Sequence, residues 1–94
     1  MGRASDTASI AAQNTFSTGM YLPAGKFNFS LSGTWVATVH LQRSFDTGTT
    51  WVDVESFTAN IETYGEEIED GVKYRFGVKT SGYTSGTVVG RISY

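Results

Sequence analysis

The chain contains no cysteine. No disulfide can staple it, and a thiolate metal site is excluded. There is a single histidine, and the single proline is consistent with strands joined by tight turns. An excess of one charge is also missing: seven Lys and Arg against nine Asp and Glu leave a net charge of −2. A strong grip on DNA or RNA needs a basic surplus, so no specific nucleic-acid partner is expected. No apolar run approaches the roughly 20 residues of a membrane-spanning helix, and residues 1–6 lack the apolar core of a secretory signal. No membrane partner is expected. The Met1-Gly2 start is only a fragment of a myristoylation signal. No segment sustains a helical period; residues 8–12 come nearest and are short.

What the chain does have is turn and strand chemistry. It carries eleven Gly, ten Ser and thirteen Thr, which suit strands joined by tight turns. Ninety-four residues fit one small domain, and six Phe, five Tyr and two Trp can furnish a modest core. Period-2 alternation is clear in three segments. In residues 34–45, Trp35, Ala37, Val39, Leu41 and Phe45 share one face, broken only by Arg43. In residues 72–80, Val72, Tyr74, Phe76 and Val78 alternate with Lys73, Arg75, Gly77 and Lys79. In residues 26–32, Phe27, Phe29 and Leu31 alternate with polar side chains. Such strands cover a core with one face and meet water with the other. A hairpin is expected at Ser32-Gly33 and a flexible loop at residues 81–86, with further strands near residues 9–17, 51–57, 62–68 and 87–94. The expected fold is all-β: a single antiparallel β-sandwich of jelly-roll or immunoglobulin-like type with seven to eight strands. It spans residues 9–94 and is preceded by a mobile arm, residues 1–8.

The most specific motif is Ser44-Phe45-Asp46-Thr47-Gly48-Thr49-Thr50-Trp51, a complete Asp-box of the form S-x-D-x-G-x-T-W. Asp46 is placed to fold its carboxylate onto backbone N–H groups. Gly48 supplies a conformation that a side chain would obstruct, and Trp51 packs over the turn. Asp-boxes recur in sialidase-like propellers, but a propeller needs several four-stranded blades, more than this chain holds. Ser44, Asp46, Gly48, Thr50 and Trp51 are therefore assigned to a structural turn.

Candidate chemistry is sparse. His40 is mid-strand, and nothing around it marks an activated hydroxyl; a solvated or interface role is expected. Glu62, Glu66, Glu67, Glu69 and Asp70 lack EF-hand spacing and read as a solvated, acidic edge strand. Lys73, Arg75 and Lys79 form a basic stripe, with Arg91 a candidate neighbour, expected to pair across strands with those acids. No catalytic residue, metal site or cofactor is assigned. Surface aromatics such as Tyr64, Tyr83 and Trp51 leave a carbohydrate-binding module as the alternative function.

The segment Val39-His40-Leu41-Gln42-Arg43-Ser44-Phe45-Asp46 with Gly48 and Trp51, the later Glu69-Asp70-Gly71-Val72-Lys73-Tyr74-Arg75, and the ending over residues 82–94 together resemble small β-rich virion proteins of tailed bacteriophages. The resemblance covers residues 25–94. It implies a structural, non-enzymatic protein that decorates or cements the capsid in many copies, or a tail, neck or baseplate component. It also implies homo-oligomers, with a trimer preferred, capsid or other virion proteins as partners, and the virion as location after synthesis in host cytoplasm. Tyr64, Tyr83, Thr84, Ser85 and, in the arm, Arg3 are the candidate interface residues.

Overall fold

The computed structural model describes residues 4–94. Its strands are β1 (Ser5–Ile10), β2 (Thr15–Phe16), β3 (Met20–Leu22), β4 (Gly25–Ser44), β5 (Val52–Phe57), β6 (Ile61–Glu67) and β7 (Val72–Ser93). All pair antiparallel, in one seven-stranded sheet. The all-β antiparallel sandwich expected from the alternation is present.

Two strands organise it. β4 has 20 residues and β7 has 22, against a usual span of about 3–10. They run side by side from Asn28↔Ser93 to Ser44↔Lys73 and bend together midway. On one side of the bend β4 carries β6 and β7 carries β1; on the other, β4 carries β5 and β7 carries β2 and β3. One layer is thus β1-β7-β4-β6, and the other is β2 and β3, then β7-β4-β5. Each long strand belongs to both, and the inner faces close on each other.

The bend has identifiable devices. Gly33, Ser81 and Gly86 have φ of 98°, 71° and 86°, and the β4–β7 register shifts between Val36 and Ala37 and again before Val39. Bulges and positive-φ residues are what let a sheet turn a corner. A Cβ on Gly33 would sit 2.5 Å from the Thr87 carbonyl oxygen, so the two long strands approach there as only glycine allows. Asn60 clasps the corner: its Oδ1 accepts from Trp35 Nε1 at 2.7 Å, and its Nδ2 donates to the Gly33 carbonyl at 3.0 Å.

Neither the hairpin expected at Ser32-Gly33 nor the loop expected at residues 81–86 forms; both segments are bends inside continuous strands. The reason lies in side-chain parity. A two-residue hairpin would put Leu31 beside Thr34, Phe29 beside Val36 and Phe27 beside Thr38, on shared faces. The apolar residues instead keep odd numbers straight through the bend, with Phe27, Phe29, Leu31, Ala37, Val39 and Leu41 all buried. Only a continuous strand keeps them on one side.

The core lies between the layers. Phe29 of one layer meets Phe57 and Phe76 of the other at centroid separations of 5.2 and 5.7 Å, and Phe27 meets Tyr74 at 4.9 Å. Gly90 makes room for this packing, because a Cβ there would lie 2.3 Å from the Phe76 ring. Trp35, expected in the core, is only partly buried against it, since it sits at the corner. Phe45, expected on the apolar face, lies just past the end of β4 and is 58% exposed.

The expected arm is also revised. Residues 5–8 belong to β1, paired with β7 from Ser5↔Ser93 to Ala8↔Gly90. Asp6 is buried and its Oδ2 accepts from Gly19 N at 2.9 Å. Arg3, with Met1 and Gly2, lies outside the described residues. The strand expected at residues 9–17 is accordingly divided between β1 and the short β2.

Candidate functional site

The Asp-box hairpin links β4 to β5. Ser44 is buried, and its hydroxyl is the hub: it donates to Asp46 Oδ1 at 2.7 Å and accepts from Asp46 N at 3.3 Å and Gly48 N at 2.9 Å. Asp46 Oδ1 accepts also from Thr50 N at 2.8 Å. The Ser44 hydroxyl, then the Thr50 backbone and side chain, stabilise the carboxylate and lower its pKa from 3.8 to about 2. Thr47 and Gly48 take positive φ of 61° and 96°, and the Trp51 ring lies 3.5 Å from where a Gly48 Cβ would stand. All five assigned residues lie in the turn, and the bonds that Asp46 Oδ1 accepts come from the loop itself.

Beneath the hairpin sits a cluster that the sequence did not announce. The Arg75 guanidinium lies between two rings, 3.9 Å from the Phe16 centroid and 4.2 Å from the Trp51 centroid. Its Nε donates to Gln42 Oε1 at 2.9 Å. Gln42 Nε2 donates to Asp53 Oδ1 at 2.9 Å, and Asp53 Oδ2 pairs with Lys79 and lies 3.9 Å from His40 Nδ1. Burial lowers the Arg75 pKa, and the Lys79 and Gln42 hydrogen bonds, in that order, lower that of Asp53. An open recess of about 540 Å³ adjoins the cluster. Arg75, Gln42, Asp53 and Lys79 there are already linked to one another. Among the described residues no hydroxyl hydrogen-bonds His40, so no nucleophile–base pair is assembled.

The basic stripe therefore does not pair with the 62–70 acids. Lys79 is held by Asp53, and Lys73 lies over the Tyr21 ring at 5.5 Å. The cause is topological: β6, which carries the acids, pairs with the first half of β4, while these cations stand on the half of β7 in the other layer. Arg91 stands in the opposite half of β7, away from them.

The acidic run is not uniformly solvated either. Glu62 and Glu66 are exposed, but Glu67 is 2% exposed at the end of the core. It accepts from Tyr74 Oη at 2.6 Å, from Arg43 Nη1 at 3.3 Å and from Glu69 N at 3.2 Å. Desolvation pushes its pKa up, but the bonds from Tyr74 and Glu69 and the Arg43 charge outweigh it and the net shift is downward. The same burial, reinforced by Glu67, raises Tyr74 to about 12. Arg43, the one polar residue on the inward face of β4, thus bridges the layers. Asp70 Oδ1 accepts from Ala24 N at 2.6 Å. The acids scatter into separate duties, and among the described residues no three His, Asp or Glu gather as a cation site.

The interface candidates fall in different places. Tyr64 projects from β6 and is 69% exposed. Tyr83 is part of the corner: it packs against the core, and its hydroxyl donates to the Gly86 carbonyl at 2.9 Å. Thr84 and Ser85 are exposed beside it, within β7 rather than in a loop. Sequence reasoning passed over β5. That edge strand is exposed from Val52 through Ser56, and it presents Val52 (50%) and Val54 (43%); Phe45, just past the end of β4, is exposed as well. Val54 is the extra residue of a bulge, between the pairs Leu41↔Glu55 and Gln42↔Asp53. The flank between β5 and β6 opens on a small cavity of about 110 Å³ that reaches Phe27, Phe29 and Phe57. No protein-family model matches this chain, and no curated protein or solved structure shows significant similarity to it.

Proposed function

We propose that the chain is a structural virion protein of a tailed bacteriophage, most simply a decoration or cement subunit that binds the shell in many copies. The observation that carries this reading is the β5 flank. An edge strand with unpaired backbone groups and exposed valines invites pairing with another chain. Docking on a neighbouring protein would cover Val52, Val54 and Phe45 and use the free edge. Weak contacts suffice, because many identical copies on a lattice bind multivalently. The sequence resemblance points the same way and favours a trimer. On this reading the chain performs no catalysis: the self-matched Arg75 and Glu67 networks stiffen a small scaffold that works by being bound.

The test is occupancy. Particles assembled without the chain would be incubated with the wild type and with Val54→Lys, each first shown to be folded. The wild type should saturate the particles, and the lysine variant should lose most of that binding. Equal occupancy by both would remove the β5 flank from the interface. No binding of either to shell, neck or tail would end the virion reading.

A further inference from the structure

The opposite surface, the outer face of the layer β1-β7-β4-β6, carries a second site, and the argument for it does not depend on the virion role. Strand register builds two adjacent rows across it: Arg91–Ser30–Glu62, and Ser93–Asn28–Tyr64. The middle of the face holds only short side chains, so it forms a recess of about 470 Å³ rimmed by Arg91, Glu62 and Tyr64. That volume lies within the roughly 300–1,000 Å³ of ligand sites.

Arg91 differs from the cations held by polar partners elsewhere on the described chain. Arg43, Arg75 and Lys79 all have side-chain partners. Among the described residues, Arg91 and Glu62 make no ion pair and no side-chain hydrogen bond. Their backbones stand two strands apart, about 10 Å, with Ser30 between them, and since they form no ion pair with each other they are placed to hold two ends of one ligand. Tyr64 adds an exposed ring, with Lys26 Nζ 5.7 Å from its centroid.

These groups define a ligand chemistry. A guanidinium only donates, a carboxylate only accepts, and Ser30 and Asn28 do both; the complement is a molecule dense in hydroxyls. Arg91 and Lys26 stand against Glu62 and against Glu66, which faces Lys26 in the register, so the charges balance and the complement is neutral overall: the acids oppose a phosphate and the cations oppose an ammonium. The tyrosine ring calls for a flat apolar face beside those hydroxyls. We propose that this recess binds a short neutral pyranose glycan, with a sugar ring on Tyr64 and its hydroxyls shared among Arg91, Glu62, Ser30 and Asn28.

The full chain would be titrated with glucose, galactose, mannose, N-acetylglucosamine and their disaccharides while backbone amide resonances are followed. At least one sugar should give saturable shifts confined to this face. Tyr64→Ala and Arg91→Ala should each weaken that binding about tenfold, equivalent to about 1.4 kcal/mol, with resonances elsewhere unmoved. Lys79→Ala, in the other layer, should leave it unchanged. The proposal is overturned if no sugar in the panel gives saturable shifts on this face. It is also overturned if Tyr64→Ala leaves the affinity intact, or if only inorganic phosphate binds there.

Discussion

Replacing Gly90 by alanine adds one methyl group at a point where one layer of the sandwich packs directly on the other. That Cβ would stand 2.3, 2.7 and 2.9 Å from three atoms of the Phe76 ring. Carbon atoms normally rest about 3.5–4.0 Å apart, so the ring would have to retreat by more than an ångström. It has nowhere to go, being fully buried with Phe29 packed edge-on at 5.7 Å. Overpacking of a tight core typically costs about 1–3 kcal/mol, and a clash with three ring atoms belongs at the upper end. A Gly→Ala change otherwise stabilises by about 0.4–1 kcal/mol through the unfolded chain, so the expected net loss is about 2 kcal/mol. For a domain of this size that lowers Tm by on the order of 10 °C. Urea unfolding followed by tryptophan fluorescence measures the loss. Phe76→Leu in the same chain should relieve the clash, making the double variant more stable than the sum of the two single changes by about 1 kcal/mol or more. If Gly90→Ala is neutral, or if the two changes simply add, β7 does not fold back over itself and the two-layer account is wrong.

Three further outcomes follow. Asp46→Ala should lower stability while leaving particle binding unchanged in the folded protein. Because the folded-state pKa is depressed from 3.8 to about 2, the Asp46 contribution is present above about pH 4 and is lost as pH falls toward 2; the gap between wild type and variant in urea titrations should close over that interval. Glu67→Ala strands Arg43 and Tyr74 and should cost about 3 kcal/mol, the low end for a broken buried pair because Arg43 still reaches water, as read by the same unfolding assay. Tyr74 is raised from 10.0 to about 12, so stability is intact below pH 10 and declines as pH climbs toward 12, with the part of the phenolate absorbance that Tyr74→Phe removes appearing only as the protein unfolds.

The alternation of apolar residues made the layers legible in the sequence, and the Asp-box made its hairpin legible down to Ser44 and Asp46. What misled was punctuation. Gly33 and the Ser81–Gly86 glycines look like chain reversals, whereas a single positive-φ residue followed by unbroken parity produces a bend. The parity of Phe27 through Leu41 carried the correct answer and outweighs the Ser-Gly signal. Arg43 and Glu67 were legible in part, since each occupies an inward position in its strand, but their meeting depends on how the two layers close. The Phe16–Arg75–Trp51 stack joins residues far apart in the chain, and no local pattern announces it. The β5 flank was hidden for a related reason: Val52 and Val54 read as an ordinary strand, and only the bulge and the edge position expose them.

The most direct test of the structural-virion reading is the stoichiometry of this chain in purified particles, measured by quantitative mass spectrometry against the major capsid protein. A fixed ratio, unchanged by further purification and matching a whole number of copies per capsomer or per symmetric tail ring, is the predicted result. Particles that are complete without the chain, or that carry it in variable trace amounts, would contradict the account.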